Sequence, residues 1–108
     1  MTVEELFDGA AAALAAEADL ERGRMFGSDA LKVGGKVFAL CSRGAVVVKV
    51  PAARVEELVS TGEGEPFDPG HGRVMREWVA VRPVDAAACE AVLREAHAFV
   101  AGRTRPDA

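Results

Sequence analysis

Ala30-Leu31-Lys32-Val33-Gly34-Gly35-Lys36-Val37-Phe38-Ala39-Leu40-Cys41-Ser42-Arg43-Gly44-Ala45-Val46-Val47-Val48-Lys49-Val50 is the stretch whose reading decides the fold. Gly34-Gly35 and Ser42-Arg43-Gly44 cut it into three short apolar runs rich in β-branched Val, the composition of strands rather than helices. Gly-Gly supplies the two positive-φ positions of a tight hairpin turn. The stretch predicts a three-stranded antiparallel meander. Its nearly continuous apolar runs predict that both faces are at least partly covered.

Outside this stretch the period turns helical. Thr2 and Glu5 have capping-box spacing, and Val3, Leu6, Phe7, Ala10 and Leu14 follow on one helical face. A first helix is expected over about residues 3–20, ended by Glu21-Arg22-Gly23. Pro51 suits the first turn of a second helix with Val55, Leu58 and Val59 inward and Gly62 as its cap. Residues 62–73 have no period and read as a long loop, a length that tends to be functional or mobile. Phe67 is its one apolar anchor. Residues 74–82 form a fourth strand, with Arg76 and Trp78 on one face. Asp85 caps a last helix that presents Cys89, Val92, Leu93, Ala96, Phe99 and Val100 and closes at Gly102. Val84 and Cys89 have the spacing of a hydrophobic staple. Phe38, Trp78, Phe99 and Leu14 are expected in one core. The layout is α+β, an antiparallel sheet of about four to five strands in the order α-β-β-β-α-β-α. Residues 1–102 make one domain and 103–108 a polar tail.

At 108 residues the chain has the size of one domain. No apolar run approaches the roughly 20 residues needed to cross a bilayer. Glu4, Glu5 and Asp8 stand where a secretion signal carries bases, so the expected location is cytoplasmic. Cys41 and Cys89 form no CxxC and read as free thiols of a reducing compartment. The net charge of −4 argues against a dedicated non-specific nucleic-acid binder. The charge is segregated, however. Residues 1–21 and 55–72 carry acids without bases, while residues 22–54 carry seven bases against Asp29 alone.

Chemistry-bearing residues are sparse. Cys41, His71, Cys89 and His97 lack the paired spacing of zinc ligands. Cys89 and His97 lie more than two helical turns apart and cannot form a nucleophile–base pair. Gly34-Gly35 joins two strands, whereas phosphate loops join a strand to a helix. No catalytic residue, metal ligand or cofactor site is assigned. The candidate binding surface is the basic set Lys32, Lys36, Arg43, Lys49, Arg73 and Arg76.

Met25-Phe26-Gly27, Gly35-Lys36-x-Phe38-Ala39, Lys49-Val50-Pro51, Gly64-x-Pro66-Phe67-x-Pro69 and Gly72-Arg73-x-Met75-x-Glu77-Trp78 occur in this order across roughly residues 20–100. Together they resemble the TfoX N-terminal domain family. Lys32-Val33-Gly34-Gly35-Lys36 is also similar to the related YjbR/MmcQ-like group. The resemblance implies an α+β fold and no reaction, since the family supplies no established catalytic residues. Full-length TfoX and Sxy proteins regulate bacterial competence and continue into a helical C-terminal domain, so the chain reads as a stand-alone version. The expected function is a non-enzymatic regulatory or binding module with a protein partner. The alternatives are a nucleic-acid binder using residues 22–54, which net acidity disfavours, and a small-molecule enzyme using residues 62–78.

Overall fold

A computed structural model describes residues 1–68 and 75–104. Thr2 opens helix α1 (Val3–Ala15) through the capping box: Glu5 N–H donates to Thr2 Oγ1 over 3.1 Å, and Thr2 N–H donates to Glu5 Oε1 over 2.8 Å. The helix stops five residues short of its expected end. Residues 16–20 instead fold against α1's neighbours, where Arg94 grips Glu17 in a two-pronged ion pair and the His97 ring meets the Asp19 carbonyl.

The meander is present and larger than expected. Strands β1 (Glu21–Met25), β2 (Ser28–Val33), β3 (Lys36–Ser42) and β4 (Ala45–Lys49) run antiparallel through three two-residue turns. Each turn has positive φ at both central residues: Phe26-Gly27, Gly34-Gly35 and Arg43-Gly44. That is the type I′ geometry whose twist matches the flanking strands. Gly34-Gly35 adopts it freely, whereas Phe26 and Arg43 hold a left-handed backbone that disfavours side chains. Strand β1 replaces the expected helix terminator, because an edge strand of charged residues shows no apolar alternation to read.

Helix α2 (Ala52–Ser60) follows Pro51, and β5 (Gly64–Pro66) then occupies the start of the expected loop. Strand β6 (Trp78–Val81) and helix α3 (Ala86–Thr104) complete the order α-β-β-β-β-α-β-β-α. The sheet is wholly antiparallel, in the order β1-β2-β3-β4-β6-β5. Residues 69–74, which include His71 and Arg73, lie outside the described residues. Asp85 caps helix α3, its carboxylate accepting from Ala88 N–H at 2.8 Å. The helix runs on past Gly102. The expected Val84–Cys89 staple does not form, since Val84 is 89% exposed while Cys89 is buried.

The three helices share one face of the sheet. There Phe7 and Leu14 of α1, Val55 and Leu58 of α2, and Cys89, Leu93 and Val100 of α3 pack on Leu31, Phe38, Val46, Val48 and Val79. A β-bulge sharpens this core. Leu31 pairs with Ala39 and Lys32 with Val37, leaving Phe38 as the extra residue. Phe38 and Ala39 therefore both face the helices, where strict alternation would separate them.

Trp78 is not part of that core. Its partner across the sheet is Lys49, in the row that points away from the helices. It is buried there with Ala30, Leu40 and Val47, and Met25, Val37, Phe67, Met75 and Ala80 pack around them. The expected grouping of Trp78 with Phe38 is thus corrected by strand register. Phe99 is only half-buried, at the margin of the helix-side core.

Candidate functional site

Antiparallel turns alternate between the two ends of a sheet, and this divides the predicted basic surface. Lys32, Lys36 and Lys49 sit at the end that holds the Gly34-Gly35 turn. Arg43 sits in the turn at the opposite end, roughly 20 Å away along β3 at about 3.3 Å per residue. Arg76 is not on a strand. It lies in a turn closed by Trp78 N–H donating to the Met75 carbonyl at 3.1 Å, and borders a hollow over Ala52, Val55 and Val59 of α2. The structure therefore brings Lys32, Lys36 and Lys49 of the six predicted residues to one end and sets Arg43 at the other, while Arg76, two residues before Trp78, lies in a turn beyond the strand end that faces Lys49. Arg73 is outside the described residues.

Ion pairing divides the bases of residues 22–54 along a different line. Arg22 pairs with Asp8 at 2.8 Å, Arg24 with Asp29 at 3.1 Å, and Arg54 with Glu95 at 2.7 Å and also with Glu57. These arginines join their own strand or helix to a neighbour. Among the described residues Lys32, Lys36, Arg43 and Lys49 have no ion-pair partner. Lys32 lies flat across β1: a side chain at Gly23 would meet its Cε at 2.9 Å. Lys49 reaches over Trp78, with Nζ 5.8 Å from the ring centroid, a cation–π arrangement.

One cation at this end was hidden in the sequence. Arg103, assigned to a polar tail, belongs to the last turn of α3. Its guanidinium stacks 5.0 Å over the Phe99 ring and donates to Glu77 Oε1 at 2.8 Å. The available signal was its spacing, four residues after Phe99 and three after Val100, which continues the helical face through Gly102. Lys36, Lys49, Val100 and Arg103 enclose a cleft of about 180 Å³.

The reactive side chains are placed for structure. Burial pushes the Cys41 thiol up to about 11, with the carboxylates of Glu4 and Asp8 adding to the effect, and burial likewise pushes Cys89 up to about 11, with help from Glu90. A thiol so raised is almost wholly protonated at neutral pH and is a poor nucleophile. His97 has its ring edge-on to Phe38, centroids 5.2 Å apart, with Nε2 2.8 Å from the Asp19 carbonyl oxygen. It fastens α3 to the segment after α1. Hydrogen bonds from Arg94 hold the Glu17 carboxyl below its usual range at the same junction. Among the described residues, no three of His, Cys, Asp and Glu converge as metal ligands. No helix among them is long and apolar enough to cross a membrane.

A larger cleft of about 510 Å³ between α2, the β5–β6 edge and the start of α3 is mainly apolar; of its charged residues Arg54 pairs with Glu95 and Arg82 with Glu65, while Glu63 accepts a hydrogen bond from Thr61 Oγ1. On the other sheet face Phe67 is half-buried, its ring 6.5 Å from Trp78 and 6.2 Å from Phe26. The anchoring expected of Phe67 is present. No family model matches the chain, and neither the curated proteins nor the solved structures contain a match.

Proposed function

We propose that this protein is a non-catalytic regulatory binding module of the TfoX N-terminal domain type, working in the cytoplasm, and that its lysine-bearing end docks an acidic face of a protein partner. One observation carries the reading: Lys32, Lys36 and Lys49 share an end of the sheet and have no ion-pair partner among the described residues, in a chain whose net charge is −4. Arg22, Arg24 and Arg54 from the same basic segment are committed to internal pairs and Arg43 stands at the far end of the sheet, so among the described residues the lysines are the cations this end of the segment offers to another molecule. Unpaired surface charges of one sign steer an oppositely charged surface and fix its orientation.

The nucleic-acid reading has less support. Single-strand binders present exposed aromatic rings for base stacking. Here Trp78 is buried and Phe67 is half-buried against it, which leaves Phe26, 46% exposed, as the one exposed ring among the described residues rather than a row of them. The enzyme reading rested on residues 62–78, of which 64–66 form an edge strand.

Affinity capture from native cytoplasm tests the proposal, with wild type, Lys32→Gln/Lys36→Glu and Arg43→Glu as baits. Gln at residue 32 avoids placing a second carboxylate opposite Glu21, its neighbour on β1. A protein retained by wild type and Arg43→Glu, and released by the double variant, is the expected result. Equal retention by all three baits would refute docking through this end.

A further inference from the structure

Strand β1 is one border of the sheet, and its register fixes where its backbone groups point. Met25 and Ser28 flank the two-residue turn Phe26-Gly27, so they form a pair that exchanges both hydrogen bonds. Bonded pairs then recur at every second residue, Gly23 with Ala30 and Glu21 with Lys32. Arg22 and Arg24 fall between them and turn their N–H and C=O groups outward. Among the described residues no strand lies on that side. The opposite border, β5, is three residues long and ends in Pro66, which has no N–H to offer. Strand β1 has five residues and no Pro.

Charged side chains commonly protect such an edge. Here they are drawn aside. Asp8 of α1 holds Arg22 at 2.8 Å, and Asp29 of β2 holds Arg24 at 3.1 Å. Lys32 crosses β1 on the face away from the helices, through the gap that Gly23 leaves. A Cβ at Gly23 would lie 2.9 Å from Lys32 Cε and 3.5 Å from its Nζ. The edge therefore carries, beside its one residue without a side chain, a cation with no ion-pair partner among the described residues. We propose that β1 is a docking edge for an extended acidic segment of a partner protein. The segment adds as a further strand, bonds the outward groups of Arg22 and Arg24, and sets a carboxylate opposite Gly23 within reach of Lys32. A residue opposite Gly23 forms the non-bonded type of pair, in which Cα atoms approach to about 4.5 Å, so the missing side chain makes room for carboxylate and lysine together. A second copy of this chain fits poorly, because antiparallel pairing through the outward groups sets Arg22 or Arg24 against another arginine.

The inference rests on the docking reading for the acidic nature of the partner. The two are separable, since strand addition needs the Arg22 backbone and docking by charge alone does not. Amide hydrogen exchange of the full chain, with and without a blocked Thr-Val-Thr-Glu-Thr-Val-Thr peptide, provides the test. In the free protein Gly23 and Met25 should exchange slowly, and Arg22 and Arg24 fast. The peptide should slow Arg22 and Arg24 saturably, with half-saturation at about 1 mM, the affinity of a short isolated strand. Arg22→Pro removes an outward donor without touching a bond to β2, and should weaken binding at least tenfold. Arg22→Ala loses the same ion pair but keeps the N–H, and should bind as wild type does. Should Arg22→Pro loosen β1, seen as fast exchange at Gly23 and Met25, a peptide with Pro on both sides of its Glu replaces it and should fail to slow either arginine of wild type. Lys32→Gln, or a peptide with Lys in place of Glu, should weaken binding at least threefold. Slow exchange at Arg22 and Arg24 in the free protein, or equal binding of the Pro-containing peptide, would overturn the docking edge. Equal binding of the Lys peptide would overturn the acidic class, and slowing that grows with protein concentration alone would overturn the partner in favour of a second copy. Peptide results as expected, beside equal retention by all three capture baits, support this edge and remove the docking reading; the reverse removes this edge alone.

Discussion

Gly64→Ala tests the packing that the sequence concealed most completely. Gly64 begins β5, opposite Val81 on β6. A Cβ added there would lie 2.6 Å from Val79 Cγ2 and 3.3 Å from Leu58 Cβ. Carbon atoms in contact sit about 3.5–4.0 Å apart, so the new methyl needs nearly 1 Å more room on the Val79 side. Val79 is fully buried and β-branched, and Leu58 Cβ is fixed to the α2 backbone. Neither can swing aside, so β5 or α2 must move. Overpacking of this kind costs about 1–3 kcal/mol. The lower entropy of an unfolded Ala returns about 0.4–1 kcal/mol. Among the described residues β5 pairs with β6 alone and can yield partly, so a net loss of ~1–2 kcal/mol is expected. For a domain of this length that lowers Tm by roughly 4–8 °C per kcal/mol. Gly9→Ala is the control: its Cβ meets nothing within 4 Å, and a helix-interior Gly→Ala change should gain ~0.5–1 kcal/mol. Urea unfolding of both variants beside wild type gives the answer. A Gly64→Ala protein as stable as wild type would refute the placement of β5 beneath α2.

Phe38→Ala should cost about 3–5 kcal/mol as the loss of a fully buried ring, and Phe99→Ala clearly less, since Phe99 is half-buried; equal losses in urea melts would contradict the core assignment. Asp85→Ala should lower stability by ~1 kcal/mol through loss of the bond to Ala88 N–H, and Asp85→Asn, which keeps an acceptor, should recover most of it. Both thiols are raised in the folded state to about 11, so the neutral thiol is the form that folding favours. That contribution is complete below the unfolded thiol value near 8.5 and is lost as pH rises through about 11. Replacing both cysteines with Ala should therefore flatten the alkaline limb of a stability–pH curve between about 9 and 11, and an unchanged limb would contradict the assignment.

The meander was legible because Gly34-Gly35 and Gly44 punctuate runs of Val, and both outer helices announced themselves through Thr2 and Asp85. Three features were not. Strand β1 is polar and lies at an edge, so Glu21-Arg22-Gly23-Arg24 carries no alternating apolar signal. Strand β5 has only three residues, two of them Gly and Pro, which read as loop. The face occupied by Trp78 depends on register, and the bulge at Phe38 makes parity an unreliable guide along β3. At the candidate site, the charges of Lys32, Lys36 and Lys49 could be read from the sequence. Their separation from Arg43, and the meeting of Lys36 and Lys49 with Arg103 around one cleft, could not. Both depend on which end of the sheet each turn occupies and on α3 continuing through Gly102.

The central claim, a lysine-bearing end that serves a protein rather than nucleic acid, is tested most directly by titrating labelled duplex DNA with wild type and Lys32→Gln/Lys36→Glu at low and moderate salt. An acidic protein that neutralises few phosphates should bind weakly at low salt and lose that binding at about 150 mM salt, with little difference between the two proteins. Tight binding with a steep salt dependence, abolished in the double variant, would contradict the account and make this end a nucleic-acid interface.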